Sequence, residues 1–236
     1  MPKDFAPVKL SELKTLTSGE FYDDEFSKGR YSTDASIYQI QPLAVFIPKS
    51  KDDVIKAVNF CLNNNISILP RGGGTSQCGQ TVNHSLVIDN SKYFNKIIDF
   101  DEKNKTCTVE PGIVLDELNK FLKPFGLWFP VDVSTSSRAT IGGMAGNNSC
   151  GGRSLKYGMM RDNVVSIEAI LNDGKEYSFG DIDIDELKNN SNLNIFNNSI
   201  FKLYEQVKKN KKIILRDFPK VLRRVAGYNI DALLPD

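Results

Sequence analysis

The sequence has few residues of the types that build metal centres. Its 236 residues include 1 histidine and 4 cysteines. Zinc sites and iron–sulfur clusters are typically encoded by closely spaced pairs such as CxxC. Cys61, Cys78, Cys107 and Cys150 form no such pair, so we expect neither kind of centre, and no other metal site, in this chain.

An excess of one charge and long apolar runs are missing as well. Lys and Arg number 30 against 29 Asp and Glu, a formal net charge of +1, whereas a dedicated nucleic-acid binder carries a clear basic excess. No apolar run approaches the roughly 20 residues that cross a bilayer. The first residues, MPKDFAPVKLSELK, carry charge and proline where a signal peptide is apolar. We therefore expect a cytoplasmic protein with no transmembrane segment and no nucleic-acid partner.

Short apolar runs alternate with amphipathic segments, which predicts an α+β fold. Residues 1–40, 134–163 and the Asn-rich 181–199 show little periodicity, and we expect 181–199 to be a surface insertion. The predicted strands are 43–48, 66–70, 85–90, two within 96–112 and a hairpin over 164–179, and the predicted helices are 49–64, 113–126 and 200–215.

The stretch RGGGTSQCG, residues 71–79, follows a predicted strand and raises the question of a ligand. Consecutive glycines let backbone N–H groups approach a phosphate, and Thr75, Ser76 and Arg71 could add donors. No lysine follows as in GxxxxGK[ST], and the GxGxxG fingerprint fails too. Taken alone, a phosphate loop and a flexible turn both remain open.

A second glycine-rich stretch, ATIGGMAGNNSCGG at 139–152, changes that balance. It carries almost no charge and many neutral hydrogen-bond donors. Two such loops could hold an extended ligand from both sides, and a cofactor with a pyrophosphate fits. We expect Gly73→Val to block the phosphate approach while leaving the fold largely intact.

Four segments occur in a specific order: PRGGGTS, FPVD, ATIGGMAGNNSCGGRSLKYG and NVVSIEAILNDG. In this the chain resembles FAD-linked oxidases of the vanillyl-alcohol oxidase type, and within them the D-lactate, glycolate and D-2-hydroxyglutarate dehydrogenase branch. RRVAGYNIDALLPD is similar to large bacterial members fused to an iron–sulfur module. The resemblance implies an α+β FAD-binding module of the p-cresol methylhydroxylase type, with FAD between two subdomains.

The resemblance also implies a domain layout. Residues 1–39 would form an N-terminal extension, 40–90 and 91–215 the two FAD-binding subdomains, and 216–236 the start of a connection. We expect this sequence to lack the substrate-binding cap domain, which in the family largely handles the hydroxy-acid carboxylate and proton. We therefore expect the flavin module of a longer enzyme and assign no catalytic side chain. An iron–sulfur cluster would lie in the missing C-terminal part.

Matching motif by motif, the resemblance implies which residues contact FAD. They are Arg71, Gly72, Gly73, Gly74, Thr75, Ser76, Gln77, Pro130, Asp132, Ser137, Thr140, Ile141, Gly142, Gly143, Asn147 and Asn148. Some relatives attach FAD covalently through a histidine in the first loop. Thr75 stands at the matching position, which implies non-covalent FAD, and we expect a solvated or structural role for His84.

The implied reaction is hydride transfer from the α-carbon of a D-2-hydroxy acid to flavin N5. The whole enzyme would have that acid and an electron acceptor as partners, with peripheral attachment to the inner membrane left open. Two alternatives remain: the same fold acting as UDP-N-acetylenolpyruvoylglucosamine reductase, and a nucleotide- or phosphate-binding module without redox activity. YGMMRD and RRVAGYN favour the hydroxy-acid branch.

Overall fold

A computed structural model describes residues 10–185, 195–221, 223–224 and 228–234. Parts of the predicted N-terminal extension, the Asn-rich insertion and the RRVAGYNIDALLPD tail lie outside the described residues: 1–9, 186–194, 222, 225–227 and 235–236. The chain separates into two compact units. The first unit contains the residues up to Val164 together with Glu168–Ser178. The second unit contains Val165–Ile167 and the residues from Phe179 onward.

The α+β prediction is confirmed by the order of the elements. The strands are β1 (Glu20–Tyr22), β2 (Ala44–Ile47), β3 (Ile68–Arg71), β4 (Leu86–Asp89), β5 (Ile97–Asp101), β6 (Thr106–Val109), β7 (Ile167–Ile170) and β8 (Glu176–Phe179). The α-helices are α1 (Leu13–Leu16), α2 (Glu25–Arg30), α3 (Lys51–Asn63), α4 (Leu115–Leu122), α5 (Ile141–Gly146), α6 (Ser154–Tyr157), α7 (Met160–Asn163), α8 (Ile195–Lys209) and α9 (Lys211–Asp217). Short 3-10 helices cover Leu10–Glu12, Lys123–Phe125 and Ile230–Leu233.

The first unit is built on a four-stranded sheet in the order β1-β2-β4-β3. β2 and β3 both run parallel to β4, while β1 is antiparallel to β2. Because parallel strands need a crossover, the helical segment α3 between β2 and β3 follows from this topology. The carboxyl ends of β2, β3 and β4 therefore share one edge, where ligands bind in many open sheets, and β3 ends at Arg71.

Helix α3 begins where the sequence provides a cap, but its buried face differs from the predicted apolar positions 54, 55, 58 and 62. Leu62 is 51% exposed, and the buried apolar residues are Ala57, Val58, Phe60 and Cys61. The Ser50 side chain accepts a hydrogen bond from Asp53 N at 3.1 Å. Ala57, Phe60 and Cys61 are buried in one cluster with Phe46 of β2 and Leu86 of β4. Burying a side chain of this kind contributes about 1.5–3 kcal/mol. Burial also raises the pKa of the Cys61 thiol to about 12, which makes it unreactive.

The hairpin β5-β6 and helix α4, which the sequence predicts, pack against each other within the first unit. Leu118 and Leu122 of α4 are buried with Ile113, and Phe100 and Cys107 of the hairpin pack against them. The spacing of the leucines explains why this short helix presents one apolar face. Along the chain, α4 precedes the second glycine-rich loop, which begins at residue 139.

Several elements differ from the predictions. Residues 1–40 are not irregular throughout, because β1 and α2 form there. The predicted helix over 200–215 is two helices that meet at Asn210. The second loop contains α5, whose sequence IGGMAG is rich in a residue that costs about 1 kcal/mol relative to alanine in helices. Local propensity therefore gives no sign of it.

A carboxylate on β1 makes the stability of the sheet dependent on pH. Glu20 accepts hydrogen bonds from Lys92 Nζ at 2.6 Å, from Tyr22 Oη at 2.7 Å and from Tyr93 Oη. The bond from Lys92, followed by those from the tyrosines, lowers the pKa of Glu20 from 4.5 to about 2. A depressed folded-state pKa stabilises the protein above the unfolded-state value and loses that effect as pH falls.

We therefore expect the free energy of unfolding to decrease as pH is lowered from about 4.5 towards 2, because the native carboxylate must be protonated. Glu20→Gln should be less stable than the wild type at neutral pH and should lose part of this decrease. Urea unfolding at several pH values measures both effects. An identical pH dependence in the two proteins would contradict this role of Glu20.

Candidate functional site

The two glycine-rich loops are packed directly against each other. A Cβ atom added to Gly72 would collide with Thr140 Oγ1, and one added to Gly73 would collide with the carbonyl oxygen of Arg138 and lie 3.0 Å from its carbonyl carbon. Only glycine allows so close an approach of two backbones. From the sequence, these glycines are predicted to let a ligand approach the backbone. The structure shows that Gly72 and Gly73 also allow the two loops to pack against each other.

The expectation that Gly73→Val leaves the fold largely intact is therefore wrong. The collision would be with main-chain atoms of Arg138, which cannot rotate away as a side chain can. A substituted residue 73 must displace one of the two loops. Arg138 and Ala139 are the residues missed by sequence reasoning, because their contribution is made by backbone atoms and leaves no side-chain signal.

The first loop turns sharply after β3. Gly74 has φ +63° and Gly79 has φ +74°, in the left-handed region that favours glycine. Within the loop, the Ser76 hydroxyl donates to Gln80 Oε1 at 2.9 Å and accepts from Cys78 N at 3.2 Å. Ser76 therefore stabilises the turn itself. Thr75 is half-buried, and Gln77 is exposed.

The guanidinium of Arg71 points into the protein. Its Nη1 donates to the carbonyl oxygens of Tyr31 at 3.1 Å and Thr81 at 2.9 Å, and its Nη2 donates to that of Thr33 at 2.8 Å. Loss of solvent on burial lowers the pKa of this guanidinium. Arg71 therefore joins the start of the first loop to two other main-chain segments, residues 31–33 and Thr81.

The second loop begins with Thr140 and the short helix α5. Thr140 has an extended backbone at the N-terminal end of α5, and its neighbour Ile141 packs on a cluster containing Met144 and Leu115. A Cβ on Gly142 would lie 2.5 Å from Pro111 Cβ, so this glycine also permits close packing. Gly143, by contrast, is exposed.

Two buried polar atoms of this loop lack partners. Thr140 is 2% exposed, and within the described part of the chain neither Thr140 Oγ1 nor Asn148 Nδ2 has a hydrogen-bond partner. Leaving such a group unsatisfied costs about 1–3 kcal/mol. Native proteins tolerate this mainly where a water, ion or ligand supplies the missing partner. Both atoms belong to residues that the family resemblance implies to contact FAD.

The asparagines adjoining α5 are held in place by neighbouring groups. Asn148 has φ +45°, a conformation that asparagine tolerates better than most residues. Its Oδ1 accepts from Arg161 N at 3.0 Å, while Asn147 Nδ2 donates to Ser149 Oγ at 3.0 Å. The bond from Arg161 N fixes the orientation of the Asn148 side chain, whose Nδ2 has no partner among the described residues.

Asp132 connects the FPVD segment to the end of the second loop. Its Oδ1 accepts from Arg153 N at 2.9 Å, and its Oδ2 lies 3.7 Å from Arg153 Nε. A Cβ on the buried Gly151 would collide with Asp132. The structure therefore shows Asp132 in a supporting contact.

Pro130, Ser137 and His84 are further residues for which the sequence gives an expectation, and each lies at least partly at the surface. Pro130 is half-buried before the buried Val131, and Ser137 is exposed next to Arg138. His84 is exposed, with Nδ1 3.1 Å from the carbonyl oxygen of Gln41. This surface contact of His84 is consistent with the structural role expected from the sequence.

Over the residues that the structure describes, no group of three or more His, Cys, Asp and Glu side chains is placed to hold a metal ion. In the same part of the chain, no helix combines the length and the apolar character needed to cross a membrane.

Residues 42–180 match a family model described as an FAD binding domain. The chain is 34% identical over 212 residues to D-2-hydroxyglutarate dehydrogenase of Escherichia coli (strain K12), covering 87% of this chain and 20% of that protein. It is 38% identical over 168 residues to glycolate oxidase subunit GlcD of Bacillus subtilis (strain 168), covering 69% and 35%. The chain thus spans a minor part of the length of these relatives.

Solved structures share the fold. An alkyldihydroxyacetonephosphate synthase matches with a TM-score of 0.65 at 23% identity, covering 80% of this chain and 36% of that one. The 6-hydroxy-D-nicotine oxidase of Arthrobacter nicotinovorans matches with a TM-score of 0.62 at 23% identity, covering 72% and 38%. At this level of identity the matches establish a common architecture.

Proposed function

The chain belongs to the FAD binding domain family, and from this premise we propose that it is the flavin-holding module of an enzyme that oxidises a D-2-hydroxy acid. The fold is the p-cresol methylhydroxylase type expected from the sequence. Relatives named D-2-hydroxyglutarate dehydrogenase and glycolate oxidase subunit support the substrate class. Cytoplasmic location, an iron–sulfur cluster elsewhere in the enzyme and a separate electron acceptor belong to the same proposal.

The observation that carries the proposal is a pair of buried polar atoms in the glycine-rich second loop that have no hydrogen-bond partner among the described residues. Thr140 Oγ1 lies 3.1 Å from the position that a Cβ on Gly143 would occupy, and Asn148 Nδ2 is buried in the same loop. A pyrophosphate offers acceptors to both groups. Neither loop contains a carboxylate that would repel it. These features fit FAD.

In this proposal the chain would hold and orient FAD, and the cofactor when bound would supply the hydride-accepting chemistry of the enzyme. The exposed backbone of Gly73 and Gly143 leaves room for a phosphate. Thr140 and Asn148 would donate hydrogen bonds to FAD, and Pro130, Ser137, Gln77 and the other predicted residues except Arg71, whose guanidinium is bonded to carbonyl oxygens, would line its path. No proton transfer is assigned to a side chain of this chain.

Replacing Thr140 with valine separates ligand binding from folding. Valine has nearly the same shape but lacks the unsatisfied hydroxyl, so the free energy of unfolding without FAD should rise or stay within about 1 kcal/mol. The dissociation constant for FAD should increase about 10-fold, since one hydrogen bond to a charged group is lost. Calorimetric unfolding and FAD titration measure the two effects. Unchanged FAD affinity would remove Thr140 from the site.

The substrate class is tested by reducing the flavin of the complete gene product without oxygen. D-2-hydroxyglutarate, D-lactate and glycolate are added separately, with L-lactate as the stereochemical control, and loss of the blue flavin absorbance is followed. We expect at least one D-hydroxy acid or glycolate to reduce the flavin. Reduction by NADPH, reversed by UDP-N-acetylenolpyruvoylglucosamine, would instead support the reductase alternative. Acid precipitation should release the flavin, because Thr75 replaces the histidine of covalent relatives.

A further inference from the structure

A segment before the family match is attached to the first glycine-rich loop. Residues 31–38, here called the strap, precede the matched region, which starts at residue 42. Arg71 binds the strap through the carbonyl oxygens of Tyr31 and Thr33. Its guanidinium also lies 5.2 Å from the centre of the Tyr31 ring.

The strap contacts the other end of the loop as well. Thr81 Oγ1 donates to Asp34 Oδ2 at 3.0 Å, and the third bond of Arg71 reaches the Thr81 carbonyl oxygen at 2.9 Å. The Tyr38 ring covers Gly79, where a Cβ would lie 2.6 Å from Tyr38 Cδ2. The entry and the exit of the loop are therefore joined through one partly buried guanidinium and one strap.

The strap is also held at its start, where Tyr31 packs against Val45 and Val87 and its Oη donates to Asp89 Oδ2 at 2.7 Å. Further along, Ile37 is 95% exposed, so its side chain adds little apolar burial, and the contacts of Thr33 and Asp34 with Arg71 and Thr81 are polar. A loop with three consecutive glycines has many conformations when released. Fixing both of its ends reduces that freedom. The order of the loop thus depends on the bonds of Arg71 and Thr81.

We propose that Arg71 is a positioning residue that clamps the first loop to the strap, and that this clamp, not an ion pair between Arg71 and phosphate, sets the loop backbone for FAD. The inference rests on the proposed function. It extends the functional module to residues 31–38, which lie outside the family match.

The Arg71→Lys substitution distinguishes a phosphate-binding role of Arg71 from a role as the clamp. An ion pair with phosphate needs a positive charge, which Lys retains. The clamp needs a planar fork that reaches three carbonyl oxygens in different directions, which a single ammonium group cannot reproduce. Among the described residues no carboxylate forms a salt bridge with Arg71, so its bonding is carried by carbonyl oxygens.

The experiment compares FAD binding and loop order in the 236-residue chain. Arg71→Lys, Arg71→Met and Thr81→Val are titrated with FAD at about 50 and about 500 mM salt. Hydrogen exchange of residues 72–80 is measured without FAD. Arg30→Met, which removes an exposed arginine near the strap, is the matched control.

We expect both Arg71 variants to raise the dissociation constant for FAD about 10-fold, because a loop correctly ordered a tenth of the time binds with a tenth of the affinity. Thr81→Val should raise it about 3-fold by the same relation. Exchange in 72–80 should become faster in these three variants and stay unchanged in Arg30→Met. The salt dependence of binding should match the wild type.

Two outcomes would overturn the clamp. The first is wild-type affinity in Arg71→Lys together with loss of affinity and a weaker salt dependence in Arg71→Met, which is the result for a phosphate-binding cation. The second is unchanged exchange of 72–80 in Arg71→Met. Failure of the wild type to bind FAD would reject the proposed function, whereas the exchange measurement would still decide whether the clamp exists.

Discussion

Gly73→Ala is expected to abolish FAD retention and to lower the free energy of unfolding by about 1–3 kcal/mol, the range for overpacked sites. The added methyl group would collide with the Arg138 carbonyl oxygen and lie 3.0 Å from its carbonyl carbon. Both are backbone atoms, so relief requires the two loops to separate. Separation would also move Thr140, which is adjacent to Gly72. Calorimetry and the flavin content after purification measure the two losses.

Gly146→Ala is the matched control, because a Cβ there would meet no atom within 4 Å. Gly146 is the last residue of α5, and alanine favours helices over glycine. We expect its stability to stay within about 0.5 kcal/mol of the wild type. If Gly73→Ala were as stable as Gly146→Ala, the close contact between the loops would be disproved.

Gly143→Asp is expected to weaken FAD binding by a factor of about 100 with little change in stability. Gly143 is exposed, and the nearest atom to an added Cβ is Thr140 Oγ1 at 3.1 Å. A carboxylate about 5 Å from one phosphate charge costs about 3 kcal/mol at an effective dielectric constant near 20, which corresponds to that factor. FAD titration gives the affinity, and thermal unfolding gives the stability.

Gly143→Asn isolates the charge, since its side chain has nearly the same size as that of aspartate. We expect its FAD affinity to fall much less than that of Gly143→Asp, and the difference to shrink as salt is added. Equal affinities of the two variants would show that no phosphate charge lies near Gly143. Unfolding of Gly143→Asp alone would be detected by comparing far-ultraviolet circular dichroism spectra.

The elements that position the site were predictable because their patterns are local. β2 is an apolar run, α3 has a capping serine and a helical spacing, and β5 and β6 flank a polar turn. Each pattern needs only neighbouring residues to be interpreted. α5 escaped prediction because its glycines have low helix propensity, whereas the helix is supported by tertiary packing of Met144 and Ile141 in the cluster that contains Leu115.

The composition of the site was predictable, while the contacts that build it were not. The glycines indicated two loops near one ligand, but no local pattern pairs Gly73 with the backbone of Arg138. Arg71 suggested a phosphate contact by its charge. Its observed partners are carbonyl oxygens, a kind of acceptor that every residue has and that no sequence pattern identifies.

Titration of the flavin-free chain with FAD and with riboflavin tests the central claim most directly. We expect saturable quenching of FAD fluorescence at one FAD per chain, and binding of riboflavin weaker by at least about 100-fold, because riboflavin lacks the pyrophosphate that charged hydrogen bonds would hold. Absence of FAD binding, or equal affinity for riboflavin, would contradict the assignment of the two loops as a pyrophosphate site.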